Sequence, residues 1–220
     1  FIHYSPNILL INNIEFDHAD IFNDLDAIKK QFHHLLKIMP ISGKFIFFNH
    51  DKNALDVINE GCWSNSIEIN GNSSIASYDF SSATISFDGK SSCMNDLPFY
   101  GSHNNLNAVG AIISTSLCGI NLNDALNGLK DFSGVLRRLE HKGTFKGITI
   151  LDDFAHHPTA IKSTIEAVKE KYNGKKVLNI IELGSNTMSG GFHGDELYSI
   201  DNLESEILWL DHKSILQNNK

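Results

Sequence analysis

Residues 151–161 read Leu151-Asp152-Asp153-Phe154-Ala155-His156-His157-Pro158-Thr159-Ala160-Ile161 and follow the apolar run 147–150. This order predicts a strand, a turn and a helix, because proline suits the first turn of a helix. Ligands of open α/β sheets bind at the carboxyl ends of the strands. Four unpaired polar groups would each cost about a few kcal/mol to bury, so we interpret them as facing a ligand. The alternative is that Asp153 only caps the helix and His157 only packs the turn.

Composition indicates a globular protein and excludes two classes of partner. The 220 residues are 41% hydrophobic, enough for a sizeable core. The net charge of -8 and a single pair of arginines, Arg137 and Arg138, leave no basic surface for a nucleic acid. No apolar segment reaches the roughly 18 residues of a membrane span, and three cysteines without a CxxC pair are typical of reduced thiols. We therefore expect a cytoplasmic protein that binds neither nucleic acid nor membrane.

Hydrophobic periodicity predicts an α/β protein in two parts, with a boundary near Asp131. The short alternating runs in 74–87 predict antiparallel hairpins at a sheet edge. The predicted strands are 8–14, 44–48, 74–80, 83–87, 135–140, 148–151, 176–181 and 206–210, and the predicted helices are 25–39, 54–60, 105–117, 123–129 and 161–172.

Acidic residues and a histidine follow the first predicted strand directly. They are Glu15, Asp17, His18 and Asp20. One imidazole among carboxylates can bind Mg²⁺ or Mn²⁺ at a centre that processes phosphates. Three acidic residues entering a helix would also favour its positive N-terminus, so both interpretations stay open at this point.

Two further motifs have functional and plain interpretations. Asn104 and Asn107 lie three residues apart at the start of a predicted helix. An amide offers the donor and the acceptor that an adenine edge requires, although Asn is also an ordinary helix cap. Arg137 and Arg138 stand in a chain that otherwise uses lysine, which favours bidentate binding of a phosphate or carboxylate. On the predicted strand 135–140, alternation would let only one of the two reach a ligand. An exposed strand edge is the alternative.

These segments, in this order, resemble the Mur ligase family, ATP-dependent enzymes that join amino acids or peptides to UDP-N-acetylmuramate. The resemblance covers essentially the whole chain. It implies an α/β fold with part of the three-layer central ATPase domain in residues 1–130, followed by a Rossmann-like C-terminal domain in 131–220. Residues 15–22, 152–161 and 185–188 are most similar to the members that join L-alanyl-γ-D-glutamyl-meso-diaminopimelate to UDP-N-acetylmuramate in peptidoglycan recycling. The members that add L-alanine more usually have Tyr and Gly where Phe154 and Ala155 stand, and they are the alternative.

The resemblance implies a site for ATP and Mg²⁺. His18 matches a histidine that helps to hold the catalytic magnesium. Asn104 and Asn107 match amides at the adenine, while Arg138 and Asp153 match groups that contact the phosphates and the ribose.

The resemblance also implies a substrate site. His156 matches a residue that faces the muramoyl substrate and the acceptor, and the loop with Ser185, Asn186 and Thr187 matches a segment near the acceptor peptide. In that scheme ATP phosphorylates the lactyl carboxylate, and the amine of the peptide attacks the acyl phosphate; the metal and Arg138 stabilise the moving charge.

The sequence departs from the family in two respects. The Gly-rich P-loop that ends in Gly-Lys-Thr is not found in the 220 residues, and Leu183-Gly184 follows Glu182 where the family usually has Pro-Arg. We expect a fragment that lacks the P-loop and the N-terminal domain, with a truncated C-terminal domain, and that is inactive by itself. The alternatives from other classes are a catalytically inactive module that binds a nucleotide or a partner, and a metal-dependent hydrolase that uses His18 and His156. The oligomeric state stays open.

Overall fold

The computed structural model describes residues 3–72, 74–201, 203 and 205–210. They fold as two units. Unit 1 comprises the described residues up to Phe16, Phe22–Pro98 and Asn104–Phe132, and unit 2 comprises Asp17–Ile21, Phe99–His103 and the described residues from Ser133 onward. Among the described residues, no helix is both long enough and apolar enough to cross a membrane.

Unit 1 contains a six-stranded sheet with the strands in sequence order. Its elements are β1 (Ile8–Ile11), α1 (Leu25–Lys37), β2 (Lys44–Phe48), α2 (Lys52–Asn59), β3 (Asn65–Ile69), β4 (Ala76–Asp79), β5 (Thr84–Phe87), β6 (Lys90–Cys93), α3 (Ser102–Leu117, whose first two residues belong to unit 2) and α4 (Leu122–Lys130). The first four strands pair in parallel, and β4, β5 and β6 are antiparallel. This confirms the hairpins predicted for the sheet edge.

Helices cover both faces of this sheet. Phe45 and Phe47 alternate along β2 and pack with buried residues of α1 and α2. Towards the opposite face, a Cβ placed on Gly110 of α3 would lie 2.6 Å from the Leu10 side chain of β1. The absence of a side chain at Gly110 therefore allows α3 to approach the sheet closely, and the three-layer architecture predicted for the first part of the chain is confirmed.

A buried carboxylate positions the chain after β1. Asp51 is 8% exposed and caps α2 by accepting from the Asn53 and Ala54 N–H groups. Its second oxygen accepts from Ile14 N–H at 2.8 Å, and the Asn53 amide donates to the Ile14 carbonyl at 2.7 Å. The segment that leads to the acidic stretch is thus anchored to the β2–α2 turn.

Unit 2 contains two small sheets. Its further elements are β7 (Glu140–Phe145), β8 (Ile148–Asp152), α5 (Pro158–Lys171), β9 (Leu178–Glu182), α6 (Asn186–Ser189), α7 (Gly194–Ile200) and β10 (Glu206–Leu210). β7 and β8 form an antiparallel pair, and β9 and β10 form a parallel pair. The core joins α5 to α6 and α7 through Ile161, Ile165, Met188, Leu197 and Ile200.

The strand predicted for 135–140 is wrong. The Arg138 N–H donates to the Val135 carbonyl at 3.1 Å, which closes a turn. Arg137 and Leu139 have positive φ angles of 57° and 49°, and the strand β7 begins only at Glu140. Distant groups hold this turn, since Phe154 N–H donates to the Arg137 carbonyl at 2.8 Å. The alternation of side chains along a strand therefore does not predict which of the two arginines faces a ligand.

Candidate functional site

Three side chains of unit 2 meet at one carboxylate. Asp17 Oδ1 accepts from the Thr187 hydroxyl at 3.0 Å and from the His18 N–H at 2.7 Å. Its Oδ2 lies 3.5 Å from His156 Nε2 and 3.9 Å from His18 Nε2. His18, His156 and Thr187, which we predicted as site residues from separate motifs, thus surround one oxygen-rich centre.

The surroundings of Asp17 favour its ionised form. Burial by itself raises the pKa of a carboxyl, but the hydrogen bonds from His18 N–H and Thr187, together with the nearby His18 and His156, bring the pKa of Asp17 below its ordinary value of 3.8. The carboxylate is therefore charged at neutral pH and offers hard oxygen ligands.

His18 has a backbone conformation that non-glycine residues rarely adopt. Its φ is 55°, and its carbonyl accepts from Ile21 N–H at 2.8 Å in a tight turn. The imidazole is 67% exposed. The turn presents the ring beside Asp17 while leaving it accessible to a ligand.

The predicted acceptor loop divides into buried and exposed parts. Ser185 Oγ caps α6 by accepting from Met188 N–H at 3.1 Å, and Met188 is fully buried. Thr187 is only 3% exposed, so its hydroxyl serves Asp17. Asn186 is exposed, and its amide donates to Asp20 Oδ2 at 3.4 Å. Ser185 and Asn186, rather than Thr187, form the accessible part of the loop.

The turn after β8 is organised by Asp153. Its Oδ1 accepts from Ala155 N–H at 2.8 Å and from the Thr164 hydroxyl at 3.3 Å, and its Oδ2 accepts from Leu139 N–H at 2.8 Å. The cap of α5 is His157, whose Nδ1 accepts from Thr159 N–H at 3.3 Å. The plain interpretation that Asp153 caps the helix is therefore wrong.

The same turn fixes the ring of His156. Its Nδ1 lies 3.0 Å from the Phe154 carbonyl, which can only accept, so we place the proton on Nδ1. The other ring nitrogen, Nε2, lies on the side of Asp17, 3.5 Å from Asp17 Oδ2.

The two arginines have different surroundings. The Arg137 guanidinium lies 4.6 Å from the centre of the Phe154 ring, and its Nε is 3.5 Å from Asp152 Oδ2. Both arginines are exposed, and 57% of the Arg137 side chain is accessible. Arg137 thus contacts two side chains of its own turn while it stays at the surface of unit 2.

The predicted adenine amides lie in unit 1. Asn107 Oδ1 accepts from the Asn12 amide at 2.7 Å, which links α3 to the end of β1. Asn104 lies one turn earlier on α3. Sequence reasoning missed Asn12, because the predicted strand 8–14 included it; the observed strand β1 ends at Ile11, directly before Asn12. Asn104 and Asn107 belong to unit 1, whereas Arg138 and Asp153 belong to unit 2. Each unit therefore contains one of the two predicted pairs.

His103, which precedes Asn104, was also missed. It belongs to unit 2. Burial lowers its pKa, Asp153 acts in the opposite direction and Arg138 lowers the pKa further. A neutral imidazole therefore lies near two residues that we predicted to contact a nucleotide.

The sequence matches two family descriptions. Residues 2–115 match the Mur ligase middle domain, and residues 137–199 match the Mur ligase glutamate ligase domain. The chain therefore belongs to the Mur ligase family.

The relatives differ in the acceptor that their names give. The chain is 40% identical to the UDP-N-acetylmuramate–L-alanyl-gamma-D-glutamyl-meso-2,6-diaminoheptandioate ligase of Escherichia coli (strain K12), over 90% of this chain and 44% of that protein. It is 32% identical to the UDP-N-acetylmuramate–L-alanine ligase of Clostridium botulinum (strain Hall), over 94% of this chain and 47% of that protein. The crystal structure of a murein peptide ligase from Psychrobacter arcticus 273-4 superposes with a TM-score of 0.70 at 33% identity, covering 99% of this chain and 47% of that one. The chain spans about half the length of the curated relatives that it matches.

Proposed function

We propose that this chain is part of an ATP-dependent ligase that joins L-alanyl-γ-D-glutamyl-meso-diaminopimelate to UDP-N-acetylmuramate in peptidoglycan recycling in the cytoplasm. One observation carries the proposal. The Thr187 hydroxyl bonds Asp17 beside His156, so the segments 15–22, 152–161 and 185–188, whose sequences favour the tripeptide-joining members, meet at one centre. The similarity to the E. coli ligase supports the same acceptor.

The Asp17 centre fits Mg²⁺. A charged carboxylate and an accessible imidazole suit a hard divalent cation at a phosphate site, and we assign His18 and Asp17 to hold it. When bound, Mg²⁺ neutralises charge on the phosphoryl oxygens. For ATP itself, we assign Asn104 and Asn107 to the adenine and Arg138 and Asp153 to the phosphates and the ribose.

The remaining residues receive roles in amide formation. Transfer of the γ-phosphoryl group of ATP to the lactyl carboxylate yields ADP and an acyl phosphate, and attack by the amine of the peptide then forms the amide and releases phosphate. His156 Nε2 can accept a proton from the ammonium group of the peptide, which gives the free amine that attacks, because the Phe154 carbonyl holds the ring proton on Nδ1. Ser185 and Asn186 bind the far end of the peptide, while Thr187 orients Asp17.

The experiment uses a chimera in which this chain replaces the aligned segment of the E. coli ligase, so that the relative supplies the rest of the protein. We expect amide formation with the tripeptide and a lower kcat/KM with free L-alanine, which has no atoms to reach Ser185 and Asn186. Replacing both by Ala should lower kcat/KM for the tripeptide about 5- to 100-fold, as expected for two lost hydrogen bonds, and leave the KM for ATP unchanged. Ser199→Ala, on the exposed side of α7, is the control.

The chimera also distinguishes the alternatives. A preference for free L-alanine would assign the chain to the L-alanine-adding members, which the similarity to the Clostridium ligase keeps as the second candidate. A folded chimera that turns over neither substrate would contradict the proposal and favour an inactive binding module. His18→Ala should raise the Mg²⁺ concentration needed for half-maximal activity, whereas His141→Ala on β7 should not.

A further inference from the structure

Two histidines and a glutamate converge in unit 2 away from Asp17. One ligand atom each from His157, His193 and Glu196 lies within 4.8 Å of the others. His193 Nδ1 is 3.5 Å from Glu196 Oε2, and the two imidazole rings are 4.7 Å apart at an angle of 72°. In the part of the chain that the structure describes, this is the one group of three such side chains.

Two packed helices hold the backbone around this cluster. His157 caps α5, His193 precedes α7 and Glu196 lies on its first turn. Ile161 and Ile165 of α5 belong to the same buried core as Leu197 and Ile200 of α7. The three side chains therefore converge where two packed helices begin, so these helices, and not a loop, keep them close together.

Burial distinguishes this cluster from a chance group on the surface. His193 is only 5% exposed, whereas the Glu196 side chain is 64% exposed. A buried imidazole thus forms the inner side, and a carboxylate that can adjust its position forms the outer side. An ion can reach the site from solvent without unfolding the helices.

We propose that His157, His193 and Glu196 bind a divalent transition-metal ion of the Zn²⁺ type. Two imidazole nitrogens and one carboxylate oxygen are a ligand set that Zn²⁺ prefers, with a fourth position for water. Mg²⁺ prefers oxygen ligands, so a site with two imidazoles and one carboxylate favours Zn²⁺ over Mg²⁺. His18, Asp17 and His156 are not among its ligands.

The ion would join the start of α5 to the start of α7. His157 directly follows His156, so a metal bond at His157 restrains the turn that places His156 beside Asp17. The site therefore supports the positions of unit 2 residues around the Asp17 centre and does not itself contact a substrate.

The test is calorimetric titration of the metal-free full chain with Zn²⁺, with Mg²⁺ as the competing ion. We expect one Zn²⁺ per chain at this site, unaffected by a large excess of Mg²⁺. Glu196→Gln should weaken the binding at least about 10-fold, and His193→Gln at least about 100-fold, since loss of even an outer-shell partner of a metal ligand costs 10- to 100-fold. Co²⁺ should give the visible absorption of a tetrahedral site in the wild-type chain only.

A matched control is available in unit 1. His33 is 8% exposed, and its Nδ1 lies 2.8 Å from Glu60 Oε2. It is again a buried histidine beside an exposed glutamate, and among the described residues no third ligand group completes a cluster with this pair. Glu60→Gln should leave Zn²⁺ affinity unchanged. Circular dichroism checks that each variant folds, and Glu196→Gln decides the result if His193→Gln does not. Equal weakening by Glu60→Gln and Glu196→Gln, or unchanged binding in Glu196→Gln, overturns the proposal.

Discussion

Asp17 shows how one residue acquires a role from groups that are distant in sequence. Its carboxylate accepts from Thr187, 170 positions later, and lies beside His156. Burial opposes its charge, and these partners together with His18 favour it. The lowered pKa of Asp17 is consequently a property of the folded chain, and it should be visible in the pH dependence of stability.

We expect Asp17→Asn to lower the free energy of unfolding most at neutral pH. The pKa of Asp17 in the folded protein is below the ordinary 3.8, so its ionisation stabilises the fold above that pH, and this stabilisation disappears as the pH falls through the folded pKa. The difference between wild type and variant should thus shrink below about pH 4.

Denaturant unfolding followed by Trp209 of unit 2 measures this difference, in a background where Trp63 is replaced by Phe. Trp209 donates to Asp201 at 2.9 Å and reports on unit 2. Asp96→Asn on the surface is the control. A difference that does not change with pH would contradict a charged Asp17.

The arginine pair leads to a second prediction at the scale of residues. In the chimera, Arg138→Lys should lower kcat/KM for ATP about 10- to 150-fold, because lysine cannot replace a bidentate contact worth about 1.5 to 3 kcal/mol. Arg137 already packs on Phe154, so Arg137→Lys should cost about 0.5 to 1 kcal/mol of stability and little activity. If Arg137→Lys lowers kcat/KM more than Arg138→Lys does, the assignment is wrong.

At the scale of elements, Gly101 determines how the chain enters α3. Its φ is 91°, a conformation that L side chains rarely adopt, and a Cβ there would lie 2.6 Å from the Ala167 Cβ of α5. Both residues belong to unit 2. Backbone conformation and close packing therefore require glycine at this position for two separate reasons.

Gly101→Ala should destabilise the chain by about 1 to 2 kcal/mol from the backbone alone, and by more because of the contact with Ala167. Adding Ala167→Gly should recover the contact part, less the about 0.5 to 1 kcal/mol that glycine costs inside α5, and leave the backbone part. Gly128→Ala inside α4 has nothing within 4 Å and should raise stability by about 0.5 to 1 kcal/mol. Thermal unfolding compares the three variants with the wild type, and full recovery in the double variant would show that φ is not strained.

At the scale of the whole molecule, ATP chemistry needs more than these two units supply. The amide N–H groups and lysine of a P-loop hold the β- and γ-phosphates, and no Gly-Lys-Thr motif is present in the sequence. We assign Asn104 and Asn107 to the adenine and Arg138 to the phosphates, and side chains at these positions do not replace the backbone N–H groups of a P-loop.

We therefore expect the 220-residue chain to release no phosphate from ATP, whereas the chimera does. Phosphate release, compared with a heat-inactivated sample, measures this. Turnover by the chain itself, lost in Arg138→Ala, would mean that another element holds the phosphates.

Local sequence patterns predicted most of the helices and strands, but they gave the wrong structure for the segment 135–139. Pro158 at the first turn and the apolar spacing of 161–172 predicted α5, which runs over Pro158–Lys171. The edge hairpins were predicted correctly as well. The segment 135–139 is rich in apolar residues and was predicted as a strand, yet hydrogen bonds with Asp153 and Phe154 hold it as turns. Tertiary hydrogen bonds outweighed a short apolar run.

Apolar periodicity and short motifs such as 152–158 are local properties, so the α/β class, the family and the residue types of the candidate site follow from the amino-acid sequence. Which of these residues meet depends on the packing of the folded chain. Asp17, His156 and Thr187 come together, Asn12 reaches Asn107, and His157 reaches His193 and Glu196. These contacts join segments that are far apart in the sequence. No local sequence pattern predicts that they lie close together, because the packing of the intervening helices and strands sets the distance between them.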